Sequence, residues 1–308
     1  MRMGPAILVL AALIPSASAG ERIILSRTAY AFAPWDSLAR PERFVDRSDY
    51  EATARDPAFA MERLTYRSDS VRVAAYLATS RVPARRARPC VIYVRGSWRV
   101  GDIGWQLAPT FRRLVGAGFV VIAPLLRGSD GEEGIDEMGG KDLSDLMHAR
   151  DVALASGLAD NSKLFLYGES RGGMMVLQAL RDGFPARAAA TIGAFTDLDS
   201  MIAADSTHLA PVARAIWTAW PSDHDASAMR RSAQRWPERI HVPLLLMHGA
   251  DDSQVSPRQS TTLAAAIRRE HGTCEVRIFP NAGHTLRGSE SARDSAATAW
   301  FRAALRAH

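Results

Sequence analysis

Cysteine is nearly absent from this chain, with two residues, Cys90 and Cys274, in 308. No CxxC spacing occurs, so no cysteine-based metal site is implied. Each cysteine falls inside a strand-like apolar segment, where a buried thiol is expected rather than a disulfide. Long apolar runs are equally scarce. The one near the start, "AILVLAALI" at 6–14, stops well short of the roughly 20 residues needed to span a bilayer. It follows Arg2 and precedes small residues at Ala17 and Ala19, the pattern of a secretory signal cleaved before Gly20. Residues 1–19 are therefore expected to be a signal peptide, and the mature protein to be exported, periplasmic or secreted, without stable membrane insertion. Concentrated charge is lacking too. The net charge is +5, but the basic residues, nearly all arginine, are scattered among acids. Only "ARRAR" (84–88) is compact, and it reads as a solvated hairpin loop between strands at 71–78 and 90–94. No nucleic-acid partner is expected. The chain has no HExxH, P-loop or dinucleotide fingerprint, so no cofactor is implied, and no internal repeat is visible.

What is present is the composition of a folded protein. A hydrophobic content of 47% with 23% charged residues excludes a mostly disordered chain. From residue 60 onward, short β-rich runs alternate with longer helical stretches, the signature of a mostly parallel sheet covered by helices. "RLTYRSDSVRVAAYLATS" reads as two antiparallel edge strands. "CVIYV", "FVVIAPLL", "KLFLY", "AAATIGAF", "VPLLLMHG" and "CEVRIF" then supply the parallel strands. Residues 20–59 form an N-terminal extension and 60–308 one α/β domain. An insertion at about 196–238, with Met201, Ile202, Leu209, Val212, Ile216, Trp217 and Trp220, is expected to form a helical cap.

Between "KLFLY" and the next helix stands "GESRGG", which sets Ser170 between Gly168 and Gly172. A tight strand-to-helix turn strains its central residue and lifts that side chain above the sheet, so its neighbours must be small. Ser170 then sits at a helix N-terminus, where backbone N–H groups and the helix dipole favour developing negative charge. A serine hydroxyl is a poor nucleophile at neutral pH; it needs an imidazole to take its proton and a carboxylate to hold that imidazole. Asp251 and Asp252 follow the strand "VPLLLMHG", and His284 follows the last strand. The order of Ser170, an acid at Asp251 or Asp252, and His284 is that of the α/β-hydrolase fold, and the aspartate that is not the acid would cap or tighten the turn. The remaining histidines, His148, His208, His224, His241, His248, His271 and His308, suit structural roles.

These segments, "CVIYVRGSWRVGD", "LLRGSDGEEGIDEMGGKDLSD", "LFLYGESRGGMM", "LLLMHGADDSQVSPRQS" and "NAGH", resemble the catalytic domain of the prolyl oligopeptidase family of serine peptidases, from about residue 60 to the end. The resemblance places the family's nucleophile at Ser170, its aspartate at Asp252 within "HGADDSQV", and its histidine at His284. It implies peptide-bond hydrolysis through an acyl-enzyme, with a small peptide or ester as substrate partner. Relatives often carry a β-propeller ahead of this domain; residues 20–59 are too few for one. Two further readings stand beside the peptidase: a carboxylesterase, and a catalytically silent hydrolase fold that binds a ligand. An oxyanion hole requires two hydrogen-bond donors. One is expected at the backbone N–H of Arg171. The other is expected at Gly96 or Ser97, where relatives often carry a double glycine or a tyrosine. The acidic loop 130–137, with Asp130, Glu132, Glu133 and Asp136, lacks the spacing of an EF-hand and is expected to be a solvated rim of the site.

Overall fold

The computed structural model describes residues 23–98, 100–204 and 224–307. The expected signal segment, 1–19, and the middle of the expected cap insertion, including Leu209, Val212, Ile216, Trp217 and Trp220, lie outside the described residues.

Among the described residues, nine strands form one sheet in the order β1-β2-β3-β5-β4-β6-β7-β8-β9. In chain order they are β1 (Ile24–Ala29), β2 (Phe59–Ser68), β3 (Val71–Ser80), β4 (Arg88–Val94), β5 (Val120–Pro124), β6 (Ala159–Glu169), β7 (Ala188–Ile192), β8 (Leu244–Gly249) and β9 (Cys274–Phe279). The first three pair antiparallel, β3 meets β5 antiparallel, and every pairing from β5 to β9 is parallel. The helices of the described residues are α1 (Arg47–Ala54), α2 (Gly104–Gly116), α3 (Leu143–Ala155), α4 (Arg171–Arg181), α5 (Leu198–Ala204), α6 (His224–Arg231), α7 (Arg258–Arg269) and α8 (Glu290–Arg306).

The central strands are apolar at nearly every position because both faces of the sheet are covered. Alternation along β4 sends Cys90, Ile92 and Val94 to one face and Val91 and Tyr93 to the other. Along β6, Leu164 and Leu166 take the first face, Phe165 and Tyr167 the second. The first core is closed by Leu146 and Val152 of α3, Met174 and Leu177 of α4, and Leu263 and Ile267 of α7. The second is closed by Phe111 and Leu114 of α2 and by Ala297 and Phe301 of α8. Both cysteines are free and buried, and burial pushes each thiol up to about 12.

One sequence expectation needs correction here. The arginine-rich loop at 84–88 is exposed, but it does not close a hairpin. β5 lies between β3 and β4, so the loop carries the chain past β5 to a strand two positions away that runs antiparallel to β3. The N-terminal extension packs on the domain. β1 adds an antiparallel edge to β2, and Tyr50 of α1 is buried in a small cluster with Val45 and Trp105. Arg113 of α2 donates to both Asp49 of α1 and Asp294 of α8, tying the extension to the second core. Of the cap insertion, α5 and α6 are helical, and Met201 and Ile202 pack against the first core.

Candidate active site

The functional side chains gather where parallel strands end. Ser170 follows β6, Asp252 lies three residues beyond β8, and His284 lies five residues beyond β9. The carboxyl edge of an open α/β sheet is where chain reversals leave a crevice for ligands.

Ser170 holds φ +53° and ψ −120°, a strained conformation that begins α4 at once. The turn closes only because its flanks lack side chains. A methyl group on Gly168 would run into the carbonyl of Gly172, and one on Gly172 into the carbonyls of Val94 and Arg95 at the end of β4. The Ser170 N–H donates to the Ile192 carbonyl at 2.7 Å, which pins the turn to β7.

The Ser170 hydroxyl lies 2.8 Å from His284 Nε2, and His284 Nδ1 lies 2.8 Å from Asp252 Oδ2. A nitrogen facing a carboxylate carries the proton, so Nδ1–H donates to Asp252 and the bare Nε2 accepts from the serine. Asp252 Oδ1 accepts from the N–H groups of Gln254 and Val255, each at 2.9 Å. Burial alone would push this carboxyl up, but hydrogen bonds from His248, His284 and the Val255 N–H hold it well below the ordinary carboxylate range. The loop bearing His284 is anchored from α8, where Arg293 donates to the Thr285 carbonyl at 2.9 Å. All three residues named from the sequence thus meet in one hydrogen-bonded chain. Asp251 is exposed, and its N–H donates to the Ala282 carbonyl at 3.0 Å, which ties the loop after β8 to the loop after β9.

His248 was read from the sequence as structural, yet it touches the same carboxylate. It is fully buried, with Nε2 at 3.0 Å from Asp252 Oδ2 and 2.9 Å from the Val255 carbonyl. Both partners are acceptors, so Nε2 carries the proton, and Nδ1 is left to pair with the Ser260 hydroxyl at 2.8 Å. Its spacing of four from Asp252 was the available signal.

The three expected oxyanion residues lie together. Arg171 opens α4, in the first turn where N–H groups lack partners within the helix. Gly96 presses on the nucleophile: a methyl group there would stand 3.3 Å from Ser170 Cβ. Ser97 takes φ +63°.

The acidic loop is only partly solvated, with Glu133 and Ile135 exposed and its other carboxylates drawn in by arginines. Asp130 and Glu132 pair with Arg63, Glu133 pairs with Arg72, and Asp136 is completely buried against the Arg171 guanidinium. Each carboxylate has an arginine from the edge strands or the elbow, which a reading of local sequence alone misses because the partners lie 35 or more residues away.

A family model described as the prolyl oligopeptidase family matches residues 105–308, about two thirds of the chain. The chain belongs to this family. An uncharacterised Bacillus subtilis peptidase, YtmA, is 25% identical over 75% of this chain and 88% of its own length. The Caenorhabditis elegans dipeptidyl peptidase family member 6 is 24% identical over 66% of this chain, and the match spans only 29% of that protein. Among solved structures, a Mycobacterium tuberculosis puromycin-hydrolysing peptidase superposes with a TM-score of 0.71 at 24% identity, covering 82% of this chain and 40% of the other. The "putative dienelactone hydrolase" of Klebsiella pneumoniae superposes at 0.59 with 18% identity, covering 80% of this chain and 99% of the other. These superpositions establish the α/β-hydrolase fold. The loop after β4 carries Arg95, Gly96, Ser97 and Trp98 in this chain.

Proposed function

We propose that this protein is an exported serine peptidase that works through a covalent acyl-enzyme on Ser170. The reading is supported above all by the two 2.8 Å hydrogen bonds that join Ser170, His284 and Asp252 in series, together with membership of a peptidase family.

In the proposed reaction, His284 Nε2 takes the hydroxyl proton as Ser170 Oγ attacks the substrate carbonyl carbon. Asp252 stabilises the imidazolium that results. The carbonyl oxygen gains negative charge and is received by the N–H of Arg171 and an N–H of the Gly96–Ser97 loop. Collapse expels the amine, which leaves with the proton held on His284. Water then repeats the sequence, and the acid product departs from a regenerated serine.

Ester hydrolysis is kept as a second reading for one reason. The match spans 99% of the dienelactone hydrolase structure but 40% of the Mycobacterium tuberculosis peptidase and of the acylaminoacyl peptidase. Export rests on the sequence of residues 1–19.

A panel of peptide anilides and p-nitrophenyl esters tests the choice. Anilide cleavage that vanishes in Ser170→Ala is the expected result. Turnover of esters with no anilide cleavage would replace the peptidase by an esterase.

A further inference from the structure

Two arginines lie beneath the site in surroundings arginine seldom occupies. Arg95 is 2% exposed and Arg171 is 1% exposed. Both reach the loop that follows β4. Arg95 donates through one terminal nitrogen to the carbonyls of Gly96 and Ser97, at 2.9 and 3.0 Å. Its other nitrogens hold the Leu125 carbonyl and the Ser129 hydroxyl. Arg171 donates to the Ser97 carbonyl at 2.9 Å. It grips Asp136 with both ends of its fork, at 2.7 and 2.6 Å, and Asp142 at 2.5 Å. Burial, with the like charge of Arg171 beside it, pulls Arg95 below the ordinary arginine value, and Asp136 and Asp142 oppose that pull. Two guanidinium groups and two carboxylates thus make a neutral, water-excluded cluster, which is the condition for keeping such charges buried.

The cluster fixes a direction. A trans peptide is planar, so its C=O and N–H point opposite ways. With the Gly96 carbonyl drawn onto Arg95, the Ser97 N–H faces away from the cluster. Gly96, which leads into that peptide, already abuts Ser170. Ser97 holds φ +63°, a conformation uncommon for serine that persists only where the surroundings impose it. Here the carbonyls of both peptides flanking its Cα are captured by guanidinium groups. Asp136 adds a further tie by accepting from the Trp98 indole N–H at its main-chain oxygen, at 3.1 Å.

We propose that the guanidinium pair of Arg95 and Arg171, neutralised by Asp136 and Asp142, is a positioning device that fixes the Ser97 peptide as an oxyanion donor. The residue after the nucleophile then serves the same charge twice. Its N–H donates from the helix start, and its side chain orients the opposing donor. The inference rests on the acyl-transfer reading above.

The test compares wild type with Arg171→Met and Asp136→Asn on a substrate that wild type turns over. Arg113→Met serves as a control, because it removes a part-buried arginine paired with Asp49 and Asp294, away from the oxyanion loop. For each protein kcat, KM, melting temperature and the inhibition constant of an arylboronic acid, which forms a tetrahedral adduct on serine, are measured. Loss of one oxyanion donor typically costs about 100- to 1000-fold in kcat, so a misplaced one is expected to cost about 10- to 100-fold. Arg171→Met and Asp136→Asn should show that fall in kcat, a matching weakening of the boronate, and KM within about twofold of wild type. Arg113→Met should lower the melting temperature and leave kcat and boronate binding near wild type. Where Arg171→Met fails to fold, Asp136→Asn carries the test at constant shape. Folded variants with unchanged kcat and boronate affinity, or an equal loss in Arg113→Met, would overturn the inference alone. A wild type that turns over nothing overturns the acyl-transfer reading and this inference with it.

Discussion

Asp252 receives four donors on two oxygens: the N–H groups of Gln254 and Val255 on one, and His284 and His248 on the other. That saturation keeps the carboxylate charged and fixes its aim, so the imidazole of His284 has one orientation. His248→Leu removes one donor to a charged acceptor and strands the Val255 carbonyl and the Ser260 hydroxyl. A hydrogen bond to a charged group is worth about 1.5–3 kcal/mol, and a loss of that size at pH 7 is expected in urea unfolding. Because the folded carboxyl titrates below its unfolded value of 3.8, its stabilisation is complete above that pH and is lost as pH falls beneath it. The gap between wild type and His248→Leu should therefore narrow below about pH 4, and a pH-independent gap would mean the loss is one of packing. The sequence showed the serine, the acid and the base because each follows a recognisable strand. It hid His248, Arg95 and Asp136, since a charged or imidazole side chain looks like surface until its partner is known. Asp136 lies 35 residues before Arg171.

At the scale of elements, the elbow is held between two covered faces of the sheet. Behind β6, Phe301 of α8 is fully buried, with ring centroids 4.9 Å from Phe165, 6.0 Å from Phe119 and 6.2 Å from Tyr167. Phe301→Ala leaves a cavity under the strand that carries the nucleophile and is expected to cost about 3–5 kcal/mol, read from denaturant midpoints at unchanged slope. A loss under about 1 kcal/mol would show that α8 collapses into the space. The parallel strands were legible because residues buried on both faces leave unbroken apolar runs. The path between β3 and β4 was not. Two strands joined by a short polar loop look alike whether they pair directly or admit a third strand between them, and only the tertiary placement of β5 decides it.

On the scale of the whole molecule, residues 23–58 are part of the folded body through β1, Tyr50 and Asp49, a point that composition did not reveal. The match spans 40% of the Mycobacterium tuberculosis peptidase structure, but 88% of the Bacillus subtilis peptidase YtmA and 99% of the dienelactone hydrolase structure. The acyl transfer proposed at Ser170 is common to the peptidase and esterase readings. The most direct measurement of that chemistry is labelling of the purified protein with a fluorophosphonate probe, followed by mass mapping of the modified peptide. The account predicts a single adduct on Ser170 that disappears in Ser170→Ala and is strongly reduced in His284→Ala. Folded wild type that takes no label, or an adduct that persists in Ser170→Ala, would contradict it.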